Sequence, residues 1–238
     1  MQEKDNSDNR KKNKYGLSYQ FHDSGEWIEI GIDEAGRGPL FGPVYVAAVI
    51  LPKDDSFDFS EMRDSKKITS KKKIANLAKY IKEKSTAWYI HAIDAAEIDK
   101  INIRQAVLKG MRECIRQLVY SRRENGSSLE NVFLLVDGND FPAYIQFDEN
   151  TDTMITIPHE TVAGGDNLYA SIACASILAK TARDEYILQL CEEHPELKTN
   201  YRIDQNMGYG TKHHLDGILT HGITEWHRKT YGKCKEAC

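Results

Sequence analysis

Several classes of protein are excluded by what this 238-residue sequence lacks. It has no apolar run near the roughly 20 residues that a membrane-spanning helix needs, and its charged N-terminus lacks the apolar core of a signal peptide. Its five cysteines include no C-x-x-C pair, and such an odd, scattered set favours a reducing cytoplasm over a disulfide scaffold. Two of them, Cys234 and Cys238, are expected to lie in a frayed tail. We therefore expect a cytoplasmic protein that makes no membrane contact.

The charge balance limits the kinds of partner. A formal net charge of −4 argues against a surface that binds nucleic acid everywhere, but it permits a basic groove beside an acidic site. Lysines cluster at residues 66–67 and 71–73. A second basic zone comprises Lys212, His213, His214, His227, Arg228 and Lys229. A solvated helix face explains either cluster equally well.

The hydrophobic pattern predicts an α/β fold. Residues 1–24 are polar and are expected to form a disordered arm. Strands are predicted over 26–33, 43–51, 86–93, 132–136 and 153–157, and helices from 69–70 onward, over 103–121 and over 166–190. The first two strands are close enough in sequence to form a hairpin, so a mixed β-sheet flanked by helices is expected. One or two helices should follow in a small C-terminal region.

The most informative segment is GIDEAGRGP at residues 31–39, where an apolar strand leads two adjacent carboxylates into a glycine-rich turn. Asp33 and Glu34 suit a hard metal ion, and glycines around Arg37 allow the backbone to approach a phosphate closely. Because neighbours on a regular strand point to opposite faces, both carboxylates can serve one site only if the strand ends there. A plain solvated loop is the alternative interpretation.

The same segment does not match a dinucleotide-binding loop. A strand does lead into Gly36-x-Gly38, but Phe41 stands where the third glycine of that fingerprint is required. Pro39 also removes a backbone donor from the turn. We therefore reject a nicotinamide or flavin cofactor of that kind.

Two further carboxylates are candidates for the same site. Asp137 directly follows the apolar strand of residues 132–136, and ligand sites in open α/β sheets gather at such strand ends. Asp166 stands at the predicted start of a long helix, where capping the helix is its alternative role. Asp184 is a rival, but along one helix it would lie about 27 Å from Asp166 at about 1.5 Å per residue. We assign Asp166 to the metal site and Asp184 to a structural ion pair.

The four carboxylates predict metal-dependent hydrolysis of a phosphodiester. They are Asp33, Glu34, Asp137 and Asp166. Ligands that are all oxygen favour Mg²⁺ or Mn²⁺ over zinc. Two such ions during turnover would activate a water and stabilise the leaving 3′-oxygen, so no serine or cysteine nucleophile is needed. Backbone groups of Gly36, Arg37 and Gly38 can approach a ligand closely, because glycine carries no side chain.

Several motifs, in order and at similar spacings, resemble those of the type 2 ribonucleases H, the ribonuclease HII family. The motifs are GIDEAGRGPLFGPV at 31–44, RDSKKIT at 63–69, VDG at 136–138, GDNLY at 165–169, SIACASILAKTARD at 171–184, GYGT at 208–211 and TEWHR at 224–228. Together they cover most of the chain beyond the first 25 residues. The resemblance implies a ribonuclease H-like catalytic core over 25–200 and a helical substrate-contact region over 201–238.

The resemblance also implies a substrate and roles for single residues. Members cut the RNA strand of RNA–DNA hybrids and incise 5′ of single ribonucleotides in duplex DNA, leaving 5′-phosphate and 3′-hydroxyl ends, during replication and repair. The Gly-Arg-Gly turn and Tyr209 would read the junction between a ribonucleotide and the next deoxynucleotide, with Tyr209 stacked on the sugar. Ser65, Lys66 and Lys67 would contact the nucleic-acid backbone. We expect a monomer.

The sequence departs from the family pattern at two places and leaves two alternatives open. Gly164 and Met207 stand where the family usually has lysine, which predicts the loss of a cation beside the metal site and of a phosphate contact. A type 3 ribonuclease H, which cuts hybrids but not single ribonucleotides well, is one alternative. A catalytically silent nucleic-acid-binding module is the other. The preferred metal and any contact with a DNA clamp stay open.

Overall fold

The computed structural model describes residues 11–124, 131–148 and 152–237. The strands are β1 (Ile28–Ala35), β2 (Val44–Ile50), β3 (Ala87–Ile93), β4 (Val132–Asp137), β5 (Tyr144–Asp148), β6 (Thr153–Ile157) and β7 (His159–Val162). The helices are α1 (Lys71–Lys84), α2 (Ala95–Ile101), α3 (Ile103–Glu124), α4 (Ala170–Glu193), α5 (Glu196–Tyr201), α6 (Ile203–Asn206) and α7 (Lys212–His221). Short 3-10 turns lie at Ser65–Lys67, Gly165–Asn167 and Gly232–Glu236.

The central sheet is mixed, as the sequence predicted. Its strand order is β3-β2-β1-β4-β7, with β5 and β6 forming a separate two-stranded hairpin. Strands β1, β2 and β3 pair antiparallel, whereas β1, β4 and β7 pair parallel. Because parallel strands end at the same edge of a sheet, the acidic ends of β1 and β4 are neighbours. The register pairs Ile32 with Val136, one residue before each carboxylate.

Strand β1 does not end where the sequence suggested. It continues through Asp33 and Glu34 to Ala35, because its pairing with β2 runs on to Tyr45. On the other side its pairing with β4 stops at Ile32. The two parallel strands therefore separate at the carboxylates. This separation opens the edge of the sheet at the position where the prediction required the strand to end.

Helices cover both faces of the sheet. The apolar side chains Ile30, Ile32 and Val46 face α3 in one buried cluster, whereas Ala47 and Val49 face α1 and α4 in another. The small residues of α4 allow a close approach, since a Cβ at Gly31 of β1 would overlap the backbone of α4. This alanine- and serine-rich helix therefore packs closely on the sheet.

The start of α4 differs from the prediction. Asp166 does not open the helix but lies in the 3-10 turn Gly165–Asn167, and α4 begins four residues later at Ala170. Leu168 and Ala170 are bonded through their backbones to Ser18, with N···O distances of 2.8 and 2.9 Å. This pairing with an N-terminal segment holds the chain extended just before the helix.

Both ends of the described chain are more ordered than predicted. The expectation of a disordered arm over 1–24 is wrong for residues 11–24, where Leu17 is 1% exposed in the core; residues 1–10 lie outside the described residues. The frayed tail is wrong for Cys234, whose side chain is buried beside Phe41 and Ile218; Cys238 lies outside the described residues. Apolar side chains at these positions find core partners that are far away in sequence.

The C-terminal region packs as a small helical layer around its own apolar cluster. Phe41, Ile187, Tyr201 and Ile218 lie at its centre. Within the part of the chain that the structure describes, no helix has the length and apolar character needed to cross a membrane. The layer lies beside the turn that follows β1, and so it borders the carboxylate site.

Candidate active site

The structure brings the predicted carboxylates to one end of the sheet. Asp33 on β1 is 5% exposed and directly follows Ile32, whose register partner Val136 directly precedes Asp137 at the end of β4. Asp137 accepts a 2.7 Å hydrogen bond from the backbone N–H of Gly165. That bond ties the 3-10 turn carrying Asp166 to the end of β4. Three carboxylates from distant parts of the sequence therefore meet at one edge.

Glu34 joins this group through its charge interactions. Its side chain is largely buried and forms a 3.2 Å ion pair with Arg37, which is itself half exposed. Burial raises the pKa of Glu34, Arg37 opposes that rise, and the charge of Asp137 adds to it. Glu34 thus lies close enough to the other carboxylates for their charges to affect its pKa, although it is next to Asp33 on a continuous strand.

Mutual repulsion among the carboxylates is the main electrostatic feature of the site. Burial, then the charges of Glu34 and Asp137, raises the pKa of Asp33 well above its ordinary value. Burial, then the charges of Asp64 and Asp137, raises the pKa of Asp166 to about 6. Carboxylates crowded in this way are stabilised in their ionised form by a cation.

A fifth carboxylate, Asp64, was not singled out from the sequence. It is 9% exposed, accepts a 2.9 Å bond from the backbone N–H of Lys66, and contacts the Asp166 carboxyl. Its signal was present in the RDSKKIT motif, where it caps the turn Ser65–Lys67. Nothing in the sequence alone, however, links this turn to Asp166.

The lysines of the same motif point toward the site. Burial lowers the pKa of Lys66, but the charges of Asp166, Asp33 and other carboxylates more than offset it, so the pKa is raised. Lys67 donates to the side chain of Asn167. A cation therefore does face the carboxylates, even though Gly164 replaces the usual lysine of the family.

Ser65 is placed differently from the expectation of a backbone contact. Its side chain is buried, and its hydroxyl lies 2.9 Å from that of Ser176 on α4. Ser176 also hydrogen-bonds Asp33. Ser65 therefore contacts Ser176, which bonds the Asp33 carboxylate, and its buried hydroxyl is not exposed to a phosphate.

The donor set fits a hard divalent cation. The four predicted ligands offer only carboxylate oxygens, and they repel one another. Within residues 11–124, 131–148 and 152–237, no three His, Cys, Asp or Glu side chains already stand close enough to hold one ion. A bound cation would offset the mutual repulsion of these carboxylates.

The Gly-Arg-Gly turn is held from below by a buried arginine. The Arg228 guanidinium donates to the carbonyl oxygens of Gly36, Arg37 and Gly42 at 2.6, 2.9 and 2.9 Å. Burial lowers the pKa of Arg228 to about 10, so the group stays charged at pH 7. Gly36 has φ of +98°, and a Cβ there would overlap Arg183. This position requires glycine for both reasons.

Tyr209 lies beside the same turn. Its ring is 51% exposed, and one ring carbon would lie 3.5 Å from a Cβ built on Gly38. The Gly208 carbonyl accepts a 2.8 Å bond from the N–H of Leu40, which joins the two loops. The structure therefore brings together the turn and the tyrosine that the sequence linked only through the family resemblance.

Asp184 is a structural residue, as the sequence suggested. It forms a 2.6 Å ion pair with Lys180 one turn earlier on α4. Its neighbour Arg183 is buried and donates to the carbonyls of Phe41, Pro43 and Met207. The second basic zone is also not a simple solvated face, because its members His214, His227 and Arg228 are buried.

Comparison with known sequences identifies relatives over most of the chain. The family model described as ribonuclease HII matches residues 30–234. A ribonuclease HII of Parabacteroides distasonis is 44% identical over 204 residues, covering 86% of this chain and 89% of the relative. A ribonuclease HII of Nitrosomonas europaea is 40% identical over 218 residues, covering 92% and 88%.

Comparison with solved structures supports the same fold. Ribonuclease H2 from Pyrococcus horikoshii has a TM-score of 0.65 at 17% identity, covering 88% of this chain and 96% of that one. Ribonuclease HII of Archaeoglobus fulgidus, solved in a complex with PCNA, has a TM-score of 0.61 at 21% identity, covering 86% and 95%. The Bst ribonuclease HIII in complex with Mn²⁺ has a TM-score of 0.61 at 16% identity, covering 91% and 70%.

These matches agree with the α/β architecture that the structure shows. The identities to the sequence relatives exceed what the fold alone requires, and they extend over nearly the whole length of both chains. The chain therefore belongs to the ribonuclease HII family, and it is an endoribonuclease that acts on the RNA strand of RNA–DNA hybrids.

Proposed function

We propose that this enzyme also incises duplex DNA on the 5′ side of a single embedded ribonucleotide, leaving 5′-phosphate and 3′-hydroxyl ends. The observation that carries the proposal is the position of Tyr209 against Gly38, next to the strand that carries Asp33. Tyr209, which would contact one sugar, and the carboxylate site, which would cut the adjacent phosphate, then lie close together. The enzyme would remove ribonucleotides during DNA replication and repair.

Divalent cations, Mg²⁺ or Mn²⁺, belong to the same proposal. Asp33, Glu34, Asp137 and Asp166 would hold them, because these carboxylates are crowded and offer only oxygen ligands. Two bound ions would supply an activated water and charge stabilisation for the leaving 3′-oxygen. The Mn²⁺ complex of a ribonuclease HIII of the same fold supports this assignment.

The turn after β1 would distinguish RNA from DNA. Arg228 draws the carbonyls of Gly36 and Arg37 inward, so the N–H groups on the other side of those peptides are directed away from it. Such donors can bond a ribose 2′-hydroxyl, which deoxyribose lacks. Tyr209 would stack on the neighbouring sugar, while Lys66 and Lys67 would contact phosphates.

Two observations favour this proposal over the alternatives. The relatives at 40–44% identity are ribonucleases HII. Every candidate carboxylate is present, which a silent binding module would not need.

The proposal is tested with four labelled duplexes of one sequence: an RNA–DNA hybrid, DNA with one ribonucleotide, duplex DNA and duplex RNA. Each is incubated with the protein in Mg²⁺, in Mn²⁺ and in a chelator. We expect the first two to be cut in the presence of metal and the last two to resist.

The outcomes separate the candidate functions. Cutting of the hybrid but not of the single ribonucleotide would replace the proposal with a type 3 specificity. Tight hybrid binding with no metal-dependent cleavage would favour a silent binding module. Cleavage that continues in the chelator would contradict the metal assignment.

A further inference from the structure

A pair of buried histidines lies directly behind the loop that carries Tyr209. His214 on α7 is fully buried, and His227, in the segment after α7, is 1% exposed. Their Nε2 atoms are 3.0 Å apart. Two imidazole nitrogens at this distance form a hydrogen bond only if one carries a proton and the other offers a lone pair.

The neighbours of the pair determine the direction of that bond. The Nδ1 atom of His227 accepts from the backbone N–H of Thr224 at 2.9 Å and lies 2.8 Å from the Thr224 hydroxyl, which can also donate to it, so we assign the His227 proton to Nε2. The Nδ1 atom of His214 lies 3.0 Å from the carbonyl oxygen of Tyr209 and must donate to it. His214 therefore accepts from His227 and donates to Tyr209.

Both rings are neutral at pH 7, as this arrangement requires. Burial lowers the pKa of His214. Burial, then the charge of His214, lowers the pKa of His227 to about 3. A proton added to His214 would occupy the Nε2 lone pair that accepts from His227. A proton added to His227 would occupy the Nδ1 lone pair that accepts from Thr224.

The loop that receives this bond is also held at its two preceding residues, where the Met207 carbonyl accepts from Arg183 at 3.0 Å and the Gly208 carbonyl accepts from Leu40 at 2.8 Å. Met207 has φ of +51° and Gly208 has φ of +83°, both in the left-handed region. The Tyr209 carbonyl, after these two residues, accepts from Thr211 at 2.7 Å and from His214. The bond from His214, five residues further along the chain, links this peptide to a fully buried ring and through it to His227.

We propose that His227 and His214 are positioning residues that act through Tyr209, holding its peptide so that its ring stays against Gly38 and meets the sugar of the ribonucleotide. The inference rests on the proposed function, which gives Tyr209 that contact. His227 and His214 themselves do not touch the substrate, because both rings are buried.

Packing alone is the competing explanation, and the structure allows it to be separated. The His227 ring is 5.0 Å from the Phe41 ring and 5.1 Å from the Tyr201 ring. In His227→Phe these ring contacts remain, but the donor to His214 is lost. In His227→Gln a side-chain amide can still donate to His214, so this variant should keep more activity.

The test is a double-mutant cycle on a DNA duplex that contains one ribonucleotide. His227→Phe, Tyr209→Ala and the double variant are compared with the parent enzyme by kcat and KM. We expect each single change to lower kcat/KM by about tenfold or more, and the double variant to match Tyr209→Ala within about twofold. If His227→Phe lowers kcat/KM by the same factor in the parent enzyme and in the Tyr209→Ala variant, the inference is overturned.

A matched control and a second readout keep the test independent of folding. His194 packs on Trp226 at 4.5 Å in the same layer without bonding the Tyr209 loop, so His194→Phe should leave kcat/KM unchanged. In the parent protein, long-range ¹H–¹⁵N NMR spectra should show His214 protonated on Nδ1 and His227 on Nε2. The opposite tautomers, or a charged ring at pH 7, would contradict the inference.

The experiment distinguishes a failure of the inference about the histidine pair from a failure of the proposed function. If the parent enzyme cuts the single-ribonucleotide duplex and Tyr209→Ala cuts it equally fast, the role of Tyr209 and of the histidine pair is overturned while the metal-dependent activity stands. If the parent enzyme does not cut this duplex in either metal, the proposed function is overturned and the inference with it.

Discussion

Arg228 donates a 2.6 Å hydrogen bond to the carbonyl of Gly36, across 192 residues of sequence. The peptide that follows Gly36 is trans, so when its carbonyl points inward the N–H of Arg37 points outward. A buried side chain thus determines which backbone groups the turn presents at the surface. The second bond, to the carbonyl of Arg37, acts in the same way on the N–H of Gly38.

Replacing this arginine by lysine should damage the turn. In Arg228→Lys the charge remains, but a single ammonium cannot reach the three carbonyls that the guanidinium fork binds. Each buried carbonyl left without a partner costs about 1–3 kcal/mol of unfolding free energy. We expect a lower melting temperature and slower cutting at a single ribonucleotide. Arg104→Lys, at an exposed ion pair with Asp140, is the control and should change neither.

Glycine should be irreplaceable at residue 36. Gly36→Ala places a Cβ against Arg183 and forces a left-handed φ of +98° on alanine, at a cost of about 1–3 kcal/mol for the backbone alone. Cleavage of the hybrid should fall with the melting temperature. Gly25→Ala, where a Cβ would meet nothing within 4 Å, should behave as the parent. Full activity of Gly36→Ala would contradict the described turn.

The carboxylate site should lower the stability of the metal-free protein while it provides the activity. Asp33→Asn removes a buried charge whose pKa burial and its acidic neighbours raise, so the metal-free protein should melt no lower than the parent. Its cleavage of hybrids should be lost, and its binding of Mg²⁺, measured by calorimetry, should weaken. Asp137→Asn should lose cleavage in the same way.

The control for these variants is Asp184, an aspartate on α4 outside the carboxylate cluster. Asp184→Asn removes only an ion pair with Lys180, so cleavage and Mg²⁺ binding should stay close to those of the parent. Equal activity of Asp33→Asn and Asp184→Asn would refute the assignment of the site.

Acid should destabilise the protein through the histidine pair. The pKa of His227 is about 3 in the folded protein, below its ordinary 6.5, so below pH 6.5 the unfolded chain binds the proton first. The stabilisation is complete above pH 6.5 and falls by about 1.4 kcal/mol per pH unit as the pH drops toward 3. The pair faces the Tyr201 ring and adjoins the charged Arg228, neither of which changes charge in this range.

Urea unfolding at pH 7.5 and pH 5 measures this dependence. The parent should lose more unfolding free energy between the two values than His227→Phe does. The difference between the two proteins isolates the histidine, since the carboxylates with raised pKa values are present in both and act in the opposite direction. An identical pH dependence of the two proteins would contradict the buried, neutral state of His227.

The parts of the site that could be predicted from sequence are those that local pattern encodes. Asp33 and Asp137 each follow an apolar run of residues, and the end of such a run is a recognisable position in a sequence. The mixed sheet also follows from short connections and alternating elements. The start of α4 was misplaced because backbone bonds to Ser18, more than 140 residues away, hold the preceding segment extended.

The supporting residues could not be predicted because their partners are distant. Asp64 contacts Asp166, and Ser65 contacts Ser176, only after the α4 helix packs across the sheet. The basic residues His227 and Arg228 resembled a solvated face, whereas the fold buries them against backbone carbonyls and a second histidine. Sequence pattern indicates the ligands, and tertiary packing supplies the groups that orient them.

The most direct test of the account is the chemical nature of the cut in DNA that contains one ribonucleotide. Attack by water at the carboxylate site predicts incision on the 5′ side, a 5′-phosphate on the ribonucleotide, a 3′-hydroxyl on the upstream strand, and no reaction in a chelator. Incision on the 3′ side with a 2′,3′-cyclic phosphate would show attack by the ribose hydroxyl itself. That result would contradict the carboxylate site as the centre of the reaction.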